Sequence, residues 1–267
     1  MNSRAIAVDW SGSKTRAERK IWLAEVDPAT MHIIRLESER DRETLTQHLV
    51  EHAAKDPNFV VGFDFAFSMP AWFLRRKQFE NAAALWDAAA CEGEDWLVKC
   101  DDPFWGRPAK RRPELEAHFR KTDGAVPAVN GIRPKSVFQI GGAGAVGTGS
   151  IRGMPTLAKL AANGFSIWPF TAGALPLVIE IYPRALTGKV DKTNKNSRRE
   201  YLDRDFPGID NVIRDAGCSC DDAFDALVSA LVMARHIDEL MALAQISDET
   251  TQLEGQIWLP ASISQAG

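Results

Sequence analysis

The 267-residue chain contains only four cysteines, and none of them falls in a recognisable spacing. Cys218-Ser-Cys220 is too tight for a usual zinc pair, and Cys91 and Cys100 do not complete one. A disulfide framework and a zinc module are therefore excluded, and a reducing compartment is expected. Long hydrophobic runs are missing as well: polar residues break every apolar stretch before bilayer-spanning length, which argues against a membrane helix or membrane partner. The first residues pass straight into a strand-like run, without a signal core and cleavage site. A cytoplasmic protein is the expectation. Positive charge is not in excess, since 32 Lys and Arg face 36 Asp and Glu for a net charge of −4. That balance is unlike the usual basic nucleic-acid-binding domain. No internal repeat or low-complexity tract stands out.

What the chain does have is sheet-building order. Arg4–Asp9 reads as a short apolar strand ending on a carboxylate, and Arg19–Val26 and His32–Leu36 read as two more around the turn Asp27-Pro28. Arg42–Ala54 carries Leu45, Leu49 and Ala53 at helical spacing. Phe59–Phe67 follows as a buried strand with one acid, Asp64. From about 70 to 134 the pattern is interrupted by helices expected at Ala71–Arg76, Phe79–Ala90 and Pro113–Lys121, a helical insertion over one sheet edge. Beyond a Gly-rich run at Gly141–Gly153, a helix is expected at Thr156–Asn163, with strands at Ile167-Trp168 and Leu177–Pro183. Two or three short helices follow between Ala185 and Ala216. A long amphipathic helix is then expected from about Asp222 to Ala244, and a last strand at Gln256–Leu259.

Carboxylates occur where apolar sequence predicts burial or a strand end. Asp9 closes the first strand, Asp64 lies inside an apolar run, Glu180 sits in Val178-Ile-Glu-Ile-Tyr182, and Asp222 and Asp225 share one face of the last long helix. Each has an ordinary structural alternative. Asp9 can cap a turn, Asp222 can be a first-turn acid favoured by the helix dipole, Asp64 can pair with a buried Arg, and Glu180 with a neighbouring Arg or His. Taken together, buried acids repel one another unless a cation lies between them, and Mg²⁺ suits such hard oxygen donors.

The order of strand acid, three-strand unit with helix, second strand acid and late helical acid pair resembles the ribonuclease H-like fold. More narrowly, the chain resembles domain-of-unknown-function family 429, described as predicted ribonuclease H-like nucleases. The matching stretches are Ala7-Val-Asp9-Trp-Ser, Gly62-Phe-Asp64-Phe-Ala-Phe-Ser-Met-Pro70, Glu180-Ile-Tyr-Pro183, Asp222-Ala-Phe-Asp225-Ala-Leu and Glu254-Gly-Gln-Ile-Trp-Leu-Pro260. The resemblance implies a single α/β domain over 1–267: a mixed five-stranded sheet flanked by helices, with the insertion at about 70–134. It also implies a metal-dependent phosphodiesterase acting on nucleic acid. Asp9, Asp64, Glu180, Asp222 and Asp225 would be its catalytic acids, with Asp9, Asp64 and Asp225, and Asp222 or Glu180 beside them, holding two Mg²⁺ or Mn²⁺ ions.

Lys14, Lys135 and Arg152 are candidate phosphate contacts, and Trp72 and Trp105 candidate stacking surfaces. Two basic segments fit a polyanion partner: Phe104–Lys135 has eight bases against three acids, and Arg184–Arg204 has seven against three. Two other readings remain open. Val8-Asp-Trp-Ser-Gly-Ser13 also resembles the first phosphate loop of actin-like ATPases and sugar kinases, with Gly141–Ser150 as a second cradle. A ribonuclease H-like binding module without turnover would carry the same acids.

Overall fold

Strand alternation gives Arg4–Asp9 (β1) two buried faces: Ile6 and Val8 point into one core, Ala5 and Ala7 into the other. In this computed structural model, which describes residues 3–264, β2 (Trp22–Asp27) and β3 (His32–Glu37) continue as an antiparallel meander. The turn between them is set by Asp27, whose Oδ1 accepts the Ala29 N–H at 3.0 Å. Helix α1 (Arg42–Lys55) starts where the Asp41 carboxylate accepts the Thr44 N–H at 2.9 Å. It crosses to β4 (Phe59–Phe63), which runs parallel to β1.

Four helices then intervene: α2 (Ala71–Arg76), α3 (Ala82–Lys99), α4 (Lys121–Ala125) and α5 (Val146–Ala162). They are followed by β5 (Ser166–Ile167) and β6 (Leu177–Glu180). The rest of the described chain is α6 (Pro183–Thr187), α7 (Lys195–Asp205), α8 (Asn211–Gly217), α9 (Asp221–Arg235), α10 (Ile237–Met241), α11 (Glu249–Glu254) and α12 (Ala261–Ser264). Among the described residues, six strands form one mixed sheet in the order β3-β2-β1-β4-β6-β5. The expected five-stranded sheet is thus corrected to six, because the short β5 adds an edge by pairing with β6.

Helices cover both faces. The core on one side joins Leu45 and Leu49 of α1 to Leu85 and Ala89 of α3 and Met154 and Leu157 of α5. On the other, α9 lies against β1 and β2. Small residues let it come close. Ala5 and Ala7 face it, and a Cβ on Gly62 would lie 2.8 Å from Met233 Sδ and 2.9 Å from Ile181 Cγ2.

Local expectations fail where tertiary contacts outweigh propensity. The glycine-rich run does not stay a loop: α5 begins at Val146 and runs through Gly147, Gly149, Gly153 and Pro155. Packing requires small residues there, since a Cβ on Gly153 would meet the Phe65 ring at 2.5 Å. No helix forms over 113–120. Its backbone is engaged elsewhere, as the Ala117 carbonyl accepts the Trp72 indole N–H at 2.8 Å. The long helix expected to reach Ala244 stops at Arg235, and Gln256–Leu259 contributes a single bridge, Glu180 to Ile257. No helix among the described residues is long and apolar enough to cross a membrane.

Candidate active site

Asp9 is the last residue of β1, in phase with Ala5 and Ala7. Asp64 follows β4 by one residue, in phase with Val60 and Gly62. Val8 pairs with Phe63 in the parallel register, so both carboxylates leave the same end of adjacent strands. The same end faces the start of α9, which supplies Asp222 and Asp225.

The electrostatics record this convergence. Burial pushes the Asp9 carboxyl well above its usual range, and the charges of Asp64, Asp225 and Asp222 push it further. Asp64 is raised to about 7, chiefly by burial and then by Asp225 and Asp222. The Trp10 N–H, 2.6 Å from Asp64 Oδ1, opposes that rise. Asp222 is raised to about 6 by burial, Asp221 and Asp225. Asp225 is also raised by burial, against the pull of Lys192.

Lys192 is the residue that sequence reasoning missed. Its side chain is buried and its Nζ lies 2.6 Å from each Asp225 oxygen. In the sequence it is one base in the Arg184–Arg204 segment, and nothing there marks it as inward-facing.

Glu180 has a different partner. On β6 it is in phase with Val178, whereas Leu177, Ile179 and Ile181 point into the core shared with α9. Its register partner is Phe63, not Asp64. The period of two roots it on the other side of the sheet from Asp9 and Asp64, yet it lines the same cleft as Asp64 and Asp225. There Arg120 takes both oxygens, Nη2 to Oε1 at 2.5 Å and Nη1 to Oε2 at 2.8 Å, and the Phe67 N–H adds a bond of 2.9 Å. Arg120 also binds Asp123 at 2.8 Å and the Glu254 carbonyl at 3.2 Å. Both Glu180 oxygens are thus engaged in a buried ion network on the wall of the cleft that Asp64, Lys192 and Asp225 also line.

The expected phosphate contacts separate. Lys135 is exposed, reaches over Gly144 and lines a cleft of about 190 Å³ with Asp64, Arg184, Lys192 and Asp225. Arg152 is already engaged, with Nε 2.6 Å from Glu94 and Nη1 donating to the Gly12 carbonyl. Lys14 is exposed and 3.9 Å from the same Glu94. Trp72 is core: it is buried, with the Arg76 guanidinium 4.5 Å above its ring. Trp105 is half-buried beneath Arg112 at 5.9 Å. Much of the two basic segments is likewise spoken for, because Arg120, Lys192 and Arg198 are buried and Arg199 pairs with Asp215.

Four buried or half-buried carboxylates of raised pKa suit a hard divalent ion by donor chemistry. Their present arrangement answers Asp225 with an ammonium. No group of three or more His, Cys, Asp or Glu among the described residues is set to hold a metal ion as it stands. The His48-Leu-Val-Glu51-His52 spacing on α1 is no exception. His52 stacks on Phe59 at 4.7 Å, and burial with the nearby Arg40 and Arg35 lowers His48 to about 4. A larger cavity of about 700 Å³, floored by Trp168 and Trp258, lacks the four clustered acids.

Comparison with protein-family models, curated proteins and solved structures finds no match.

Proposed function

We propose that the chain is a metal-dependent phosphodiesterase of ribonuclease H-like type that acts on nucleic acid. One observation carries the reading: Asp9, Asp64 and Asp225 come from three separate elements, yet each lies within electrostatic reach of the others in a buried place. Such repulsion costs stability, and a divalent cation relieves it. The sheet order, with β1 between an antiparallel and a parallel neighbour, supports the same reading.

Asp9 and Asp64, with Asp222 and Asp225, would hold Mg²⁺ or Mn²⁺. When bound, such an ion lowers the pKa of water and offsets charge on phosphoryl oxygens. The protein's own residues do the rest. The Trp10 N–H fixes Asp64, and Lys192 fixes Asp225. Lys135 and Arg184 present positive charge along the cleft, where a phosphodiester would enter. Glu180 keeps the floor in place through Arg120 and takes no part in holding the ion.

Replacing Asp9 with Asn tests this. The expected result is loss of Mg²⁺- or Mn²⁺-dependent cleavage, to background, across single-stranded and duplex DNA and RNA. Circular dichroism should be unchanged. Undiminished cleavage by Asp9→Asn would refute the reading.

A specific observation favours a phosphotransferase as the second reading. A Cβ on Gly12 would lie 2.6 Å from the Gly149 nitrogen, so the loop after β1 abuts the first turns of α5. Together they line a cleft of about 380 Å³ beside Asp64. Thermal stabilisation by ATP with Mg²⁺, but not by Mn²⁺ alone, would support that reading over the first.

A further inference from the structure

We propose that the acid cluster accepts one divalent ion, not two, because the Lys192 ammonium is a built-in second cation. The inference rests on the metal-dependent reading above and replaces the pair of ions expected from the resemblance.

The first ground is contact. Lys192 Nζ is 2.6 Å from both Asp225 oxygens and donates to Oδ2, so the charge of this carboxylate is already answered by an ammonium, while its buried Oδ1 has no hydrogen-bond partner. The second is placement. Lys192 is only 7% exposed, and its backbone carbonyl accepts a bond from the buried Arg198. The other arm of that guanidinium donates to the Cys218 carbonyl at 2.8 Å, just before α9. The lysine loop and the acid-bearing helix are therefore framed together, and a surface lysine that had drifted onto an acid would have no such frame. The third is position: Lys192 lines the same cleft as Asp64 and Asp225.

With Asp225 engaged, Asp9 and Asp64 remain as the inner donors and Asp222 as an outer one. A hard ion held by few carboxylates keeps several positions for water and phosphate oxygens. A second divalent ion would have to share Asp225 with an ammonium of like charge. An ammonium carries three donors, and Asp225 occupies at most two, so the third is free for a non-bridging oxygen of the phosphodiester.

The test counts Mn²⁺ bound per full-length chain, by calorimetric titration and by the loss of the free-Mn²⁺ resonance signal. One ion is expected for the wild type and for Lys192→Arg, which keeps the charge. Two are expected for Lys192→Met, which removes the charge and frees Asp225. A wild-type count of two overturns the proposal directly, so a poorly folding Lys192→Met does not shield it. A count of one in both the wild type and a folded Lys192→Met also overturns it, while the metal-dependent reading stands. Absence of any bound Mn²⁺ at millimolar concentration overturns both.

Discussion

Asp64 shows how one residue couples fold and proposed chemistry. Its carboxyl titrates near 7, against an ordinary value of 3.8, so the folded chain retains a proton that the unfolded chain has released above about pH 4. Protons bound by the native state in excess mean that stability falls as pH rises through that interval, and levels off above 7. The slope for a single such group is up to about 1.4 kcal/mol per pH unit. In chelator, Asp64→Asn should therefore resist urea better than the wild type at pH 8, by about 1–3 kcal/mol, with the gap closing toward pH 4.5. Urea unfolding series at both pH values check this, and equal curves at pH 8 would count against a buried, repelled Asp64. Saturating Mn²⁺ should reverse the order, since an ion that binds only the native wild type stabilises it by mass action. At this scale the sequence was partly legible. Asp9 and Asp64 are visible as acids among apolar residues, and both face α9. Glu180 carries the same signal but is held by Arg120. Only that partner, distant in sequence, separates them. Lys192 was illegible, because its burial depends on the partner that α9 brings to it.

Among the elements, the approach of α9 to the sheet decides whether the acids meet. Ala5, Ala7 and Gly62 form the flat patch beneath it. A Cβ at Gly62 would already press on Met233 Sδ at 2.8 Å, and a branched side chain would lift the helix. Gly62→Val is expected to cost about 1–3 kcal/mol through overpacking. It should also weaken Mn²⁺ affinity more than its loss of stability explains, because Asp222 and Asp225 ride on the displaced helix. Adding Met233→Ala should return part of both losses, since it empties the contested space. Denaturant unfolding and Mn²⁺ titration of the single and double variants measure the two effects. The strands and α1 were readable in sequence to within a few residues because alternation and helical spacing are local. The start of α5 was not. Its glycines look like a loop in isolation, but they are small because Phe65 and the Val137 carbonyl press against them.

For the whole molecule, the question is what ties the 70–134 segment to the sheet that carries the acids. Glu254, at the end of α11, is buried and accepts the Ala71 N–H through Oε1 at 2.7 Å and the Lys121 N–H through Oε2 at 2.5 Å. Its backbone carbonyl receives Arg120, which in turn holds Glu180 on β6. One late side chain therefore pins the starts of α2 and α4 to each other and to the floor beneath the cleft. This also explains why a carboxylate closes the sequence stretch Thr250–Glu254: two backbone donors with no helical partner need an acceptor. Glu254→Ala strands both donors, at about 1–3 kcal/mol for each that stays buried, so a total loss of about 2–5 kcal/mol is expected in urea unfolding. Glu254→Gln keeps one acceptor oxygen and should fall between. Because the break is at the hinge of the segment rather than in either core, limited proteolysis should cut within 107–134 before the sheet opens. Uniform cutting along the chain would show instead that Glu254 supports the fold as a whole and has no special hold on that segment.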